Sequence, residues 1–172
     1  MILRPYRELS TEERFAALAA WVLLIWGAGH LIVIDLLPLA FGVYLYEVDP
    51  EVLQFMRDAN FRFSILGQRD LLSMFYGLSF WFGSSLLSLG AITLLLANSE
   101  QVGPVVRGRI YIIAIMATAA FSTIAAVCFF ALPVLGGALA TVLFLLALRA
   151  SRRQRYLPEA NEVDSPVRGS KF

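Results

Sequence analysis

The run RDLLSMFYGLSFWFGSSLLSLGAITLLLA, residues 69–97, decides the fold class. Between Asp70 and Glu100 no residue is charged, a stretch longer than the roughly 20 apolar residues that carry a helix across a bilayer. Small and hydroxyl residues crowd it, among them Ser73, Gly77, Ser79, Gly83, Ser88 and Gly90. A helix that touches only lipid gains nothing from them, whereas small residues let neighbouring helices approach closely. The run is therefore predicted to be the central helix of a small polytopic membrane protein. Ser73, Gly77, Ser84, Ser88 and Ala91 fall on one helical face, the predicted packing face. Ala114, Thr118, Ser122 and Ala125 form a similar row further on, as do Gly136 and Ala140.

The rest of the composition agrees. Hydrophobic residues make up 59% of the 172 positions and charged residues 16%, against roughly 45–50% apolar in soluble domains. The mean hydropathy is +0.72. A net charge of +1 gives no electrostatic case for nucleic-acid binding. One cysteine, Cys128, excludes an internal disulfide framework and any multi-Cys metal site, and His30 is the single histidine.

Four spans follow, near residues 15–37, 70–97, 110–130 and 133–149, in an all-α up-down bundle. The first opens on Ser10-x-x-Glu13, the spacing of a capping box. It is too long for the apolar core of a signal peptide and lacks a small-x-small cleavage site. It carries Gly27, Gly29, His30 and Asp35 toward its far end, with Pro38 just beyond. From Ile110 to Leu148 there is no charge. As one helix that stretch would run about 58 Å, so it must fold back. Pro133 and Gly136-Gly137 are read as the turn.

Between the first two spans, Asp49-Pro50-Glu51 reads as a helix start. Val52, Met56, Ala59 and Phe63 then form one apolar stripe. This predicts a short amphipathic helix over residues 50–63, lying on the bilayer surface or folded as a lid over the bundle, with Tyr44 and Tyr46 in the interfacial belt. Residues 1–150 are thus one transmembrane domain and residues 151–172 a polar tail, predicted to be disordered on its own. Arg4, Arg7, Arg14, Arg107, Arg109 and the bases from Arg149 onward fall on one side, and only Arg57, Arg62 and Arg69 on the other. The positive-inside rule then puts both termini in the cytoplasm.

Candidate chemistry begins at His30. A buried imidazole can ligate a haem iron or pigment magnesium, bind a quinone, or relay a proton. The plainer reading is an interhelical hydrogen bond beside the glycines. Phe75, Tyr76, Phe80, Trp81 and Phe82 crowd the start of the central helix, and His30 with Phe75, Tyr76 and Trp81 is the candidate ligand-binding set. The competing reading is an ordinary aromatic core or lipid-facing surface. Asp35 is five residues from His30, about 140° around an α-helix, so the two are not expected to share a face. Asp35 is expected to meet Arg62, Arg69 or water, and Asp70 to cap the central helix. No charged or amide residue occurs from Leu71 to Ala97 or from Ile110 to Leu148, which disfavours an ion pore. The bases at Arg149–Arg155 suit anionic headgroups.

The run GAGHL at Gly27–Leu31, Met56 and Phe61 in the outer segment, Gly67, Phe75-Tyr76 followed by Gly77, and LLSLGAITLLLA thereafter resemble a group of small uncharacterised bacterial four-helix membrane proteins. The likeness covers about residues 27–97. It implies four spans and a place in the bacterial inner membrane, and brings no activity with it.

Three functions fit these residues. One is a non-catalytic accessory or assembly subunit of a larger membrane complex, with membrane lipids and other membrane protein subunits as partners. A second is a lipid-, quinone- or pigment-binding protein using His30 and the aromatic cluster, although no cofactor is required by the sequence. A third is a membrane enzyme acting at the outer interface through His30, Asp35, Arg69 and Asp70. No catalytic or metal-ligating residue is assigned.

Overall fold

The computed structural model describes residues 4–43, 49–63, 67–128 and 131–162. Tyr44 and Tyr46, and the side chains of Arg62, Phe63, Cys128 and Arg155, lie outside the described residues. Among the described residues four helices are long and apolar enough to cross a membrane. The chain is an all-α multi-pass membrane protein, as its sequence predicts. The elements are α1 (Thr11–Phe41), α2 (Pro50–Asp58), a hairpin of β1 (Asn60–Phe63) and β2 (Gly67–Asp70), α3 (Leu71–Ala97), α4 (Pro104–Cys128) and α5 (Ala131–Glu162).

The capping box forms at the start of α1. Ser10 N–H donates to Glu13 Oε2 at 2.9 Å, and Glu13 N–H donates back to Ser10 Oγ at 3.3 Å. The far end of α1 departs from expectation, because the helix runs through Pro38 to Phe41. Proline has no N–H to give the preceding turn, and here a π turn over Leu31–Leu36 comes immediately before it. One π turn shifts the hydrogen-bond register to i→i+5, so Asp35 comes closer to the face of His30 than the α-helical offset predicts.

The surface helix is shorter than its apolar stripe suggested. It ends at Asp58, and Asn60–Phe63 is a strand paired antiparallel with Gly67–Asp70. The Asn60 side-chain amide donates to Asp58 O at 2.9 Å, closing the helix end. Phe61 and Phe63 flank Arg62 in an alternation that suits a pleated strand. The expected N-cap is present: Glu51 N–H donates to Asp49 Oδ1 at 2.8 Å.

The second turn also moves. α4 ends at Cys128 and α5 starts at Ala131, which puts Pro133 in the first turn of a helix and Gly136-Gly137 inside it. Proline is tolerated in a first turn, where the missing N–H would be unpaired anyway. Downstream, α5 continues as far as Glu162, so the beginning of the segment expected to be a disordered tail is helical. Extending an existing helix avoids the nucleation cost that an isolated peptide must meet.

The chain divides into two compact units, Met1–Ala20 with Thr93–Phe172, and Trp21–Ile92. In the first, α4 and α5 pack antiparallel. Thr141 Oγ1 donates to Thr118 Oγ1 at 2.8 Å, and one turn away Gly137 sits against Ser122. Tyr111, Ala114, Thr118, Ala140, Phe144 and Ala147 are buried. Thus the row Ala114–Thr118–Ser122–Ala125 is a packing face, met by Gly137 at Ser122.

In the second unit α1 and α3 pack antiparallel at a glycine pair. A Cβ on Gly27 would lie 2.9 Å from both Gly83 O and Leu87 N. Buried on α3 are Ser79, Gly83, Leu86 and Gly90, spaced 4, 3 and 4, the repeat of a helix–helix seam. This corrects the expected packing face: Ser73, Gly77, Ser88 and Ala91 are exposed and Ser84 is half-buried.

Candidate functional site

His30 lies at the junction of α1 with its π turn, half-buried against α3. Its Nε2 shares a hydrogen bond of 2.8 Å with Ser79 Oγ, the donor being set by the imidazole tautomer. The ring meets Phe82 edge-on with centroids 5.1 Å apart. Gly83 permits this approach, since a Cβ there would meet the Leu31 and His30 side chains. The nitrogen best placed to ligate a cofactor is already engaged, and the arrangement is that of an interhelical tie.

The other members of the candidate ligand set are placed differently. Phe75 and Tyr76 meet edge-on at 5.7 Å, and Trp81 is 67% exposed. The aromatic contact recorded for His30 is Phe82, a residue outside the predicted set. Phe82 belongs to the aromatic cluster read from the sequence, and Ser79 enters there only as a small residue, with neither read as a partner of His30. The signal that could have found them is the 4-3-4 spacing of Ser79, Gly83, Leu86 and Gly90, which the wealth of other small residues on α3 hides.

Asp35 is 0% exposed, and neither carboxylate oxygen has a hydrogen-bond partner among the described residues. Of the partners expected for it, Arg69 makes no bond to it, and the Arg62 side chain lies outside the described residues. Arg69 instead donates to Gln68 O at 3.1 Å. Asp70 stands apart at the start of α3, where it accepts from Ser73 N–H at 2.8 Å and Ser73 Oγ at 2.7 Å. The Ser73 hydroxyl and amide hold its carboxyl below the ordinary range, as a cap should. Among the described residues no hydrogen bond or ion pair joins any two of His30, Asp35, Arg69 and Asp70. Nor is any group of three His, Cys, Asp or Glu side chains placed to hold a metal among them.

The densest polar constellation lies in the first unit and centres on Glu13. Its Oε1 accepts from Arg4 Nη2 and from Arg107 Nη1, each at 2.8 Å, while Oε2 closes the capping box. Arg4 also donates to Asn98 Oδ1 through its backbone N–H at 2.9 Å and to Ala97 O at 3.0 Å. Arg107 donates to Ser99 O at 2.6 Å. Beside it Glu12 is buried next to Tyr111 and Ser151, although no hydroxyl closes a hydrogen bond to it. These contacts gather the N-terminal segment, the α3–α4 connection and the end of the α5 span at one end of the unit. The bonds at Glu13 hold chain segments together, while Glu12, Tyr111 and Ser151 beside it keep unpaired polar atoms.

Comparison of the chain with family models, curated proteins and solved structures finds no match.

Proposed function

We propose that this chain is a non-catalytic accessory or assembly subunit of a larger complex in the bacterial inner membrane, with both termini in the cytoplasm. The observation that carries the reading is the exposed small-residue face of α3. Ser73, Gly77, Ser88 and Ala91 form a row of small residues left exposed among the described residues. An added Cβ at Gly77 would meet no atom within 4 Å. Rows of this kind serve close approach of another helix. Only 22–28% of each span's apolar window is buried within the chain, leaving extensive side-wall for neighbours and lipid. His30 satisfied by Ser79, and a polar cluster spent on tying segments together, favour assembly over catalysis or ligand binding. Helix α2 fits the outer bilayer surface: Val52 is 51% and Phe55 65% exposed, apolar residues that the interface would cover.

Gly77→Leu tests the reading, because nothing in the chain itself resists it. The tagged chain is extracted from its native membrane in mild detergent and its mass determined. Wild type is expected well above its own 19.1 kDa, with other membrane chains attached. Gly77→Leu is expected to lose those chains and keep the wild-type melting temperature. A wild-type chain that runs alone or only with copies of itself, or a variant that keeps its partners, overturns the proposal.

A further inference from the structure

The first turns of α1 and the end of the α5 span enclose a groove of ≈ 450 Å³, lined by Thr11, Phe15, Leu146, Arg149, Ala150 and Arg153. All six belong to the first unit. On α5 they stand at i, i+3, i+4 and i+7, a single helix face. The lining changes character along its length, from Phe15 and Leu146 to Thr11 and Arg153. Neither Arg149 nor Arg153 has a carboxylate within ion-pair distance among the described residues. The acids of α1 beside the groove are committed elsewhere: Glu13 is held between Arg4 and Arg107, and Glu12 is buried beside Tyr111 and Ser151.

Two guanidinium groups with no ion pair among the described residues stand above an apolar wall at the edge of a membrane span, and together they form an amphiphilic site. We propose that this groove seats one anionic phospholipid, its phosphate between Arg149 and Arg153 and its first acyl methylenes against Phe15 and Leu146. Guanidinium groups present paired N–H donors that match phosphate oxygens. The positive end of the α1 dipole at Thr11 adds to the same potential. A free anion would satisfy the arginines yet leave Phe15 and Leu146 uncovered. A zwitterionic lipid carries its own cation into a site that already holds two. The anionic lipid satisfies both ends.

The full chain, purified in mild detergent and exposed to equal amounts of phosphatidylglycerol and phosphatidylcholine, is examined by native mass spectrometry. Wild type is expected to retain phosphatidylglycerol over phosphatidylcholine by about tenfold, as expected for two arginines at a membrane surface. The double variant Arg149→Gln/Arg153→Gln is expected to bring that ratio close to unity. Arg152→Gln removes an exposed charge of the same helix that does not line the groove, and is expected to keep the preference. Leu146→Trp fills the groove with both charges in place and is expected to lose the retained lipid, which covers the case of a double variant that does not fold. Equal retention of the two lipids by wild type overturns the proposal. So does a loss in Arg152→Gln as large as in the double variant, or displacement of the lipid by inorganic phosphate, which would make the occupant a free anion.

Discussion

Gly27→Ala is expected to destabilise the protein by about 2–3 kcal/mol, the upper part of the range for overpacking a close contact. The added methyl would stand 2.9 Å from Gly83 O and Leu87 N. Both are backbone atoms of α3, so no rotamer change relieves the clash and the two helices must move apart. That movement also lengthens the 2.8 Å bond between His30 and Ser79 one turn away. The same substitution at Gly77, where a Cβ meets nothing, is expected to be neutral or slightly stabilising, since alanine is the better helix former. Unfolding in a detergent titrated with sodium dodecyl sulfate separates the two. Equal effects at Gly27 and Gly77 would mean that α1 and α3 do not meet at the glycine pair.

Glu13→Ala is expected to cost about 3 kcal/mol, the lower end for removing one partner of a buried charge cluster. Glu13 is 5% exposed and takes both Arg4 and Arg107 at 2.8 Å. Without it, two guanidinium groups are left facing each other and the capping box loses its reciprocal bond. The lower end applies because Arg4 and Arg107 retain carbonyl partners in Ala97 and Ser99. Glu100→Ala provides the control. Its contact with Arg4 is 3.5 Å and its side chain is 79% exposed, so a change within about 0.5 kcal/mol is expected. The same unfolding titration reads both, and a Glu13→Ala variant as stable as Glu100→Ala would contradict the role of Glu13 as the hub.

What the sequence revealed divides along physical lines. The spans were legible because an uncharged run of that length has few alternatives, and the Ser10–Glu13 box because its bonds are local. The two caps at Asp49 and Asp70 are local in the same sense. The packing face of α3 was not legible from residue size alone. Small residues occur on nearly every side of that helix, and the face is chosen by the partner glycine at Gly27, which lies far away in the chain. Gly136-Gly137 could be a turn or a close approach by composition. Only the Ser122 side chain opposite Gly137 decides for the latter. The π turn before Pro38 was invisible because it depends on where the helix takes up the missing N–H. With that turn unseen, the angular offset between His30 and Asp35 could only be drawn for a regular helix. The third and fourth spans carried their packing pattern openly, since Thr118 and Ser122 are the polar residues on an otherwise apolar face.

Cysteine accessibility in intact cells tests most directly the claim that four helices each cross the membrane once. Single cysteines are placed by Arg7→Cys, Gln101→Cys and Arg152→Cys, and by Glu51→Cys and Gln68→Cys, in a chain carrying Cys128→Ala. All five positions are exposed. A membrane-impermeant maleimide is expected to label the Glu51 and Gln68 positions in intact cells. The other three are expected to react only after the membrane is opened. Labelling of the Arg152 position from outside, or of the Arg7 and Gln68 positions from the same side, would contradict four crossings with both termini in the cytoplasm.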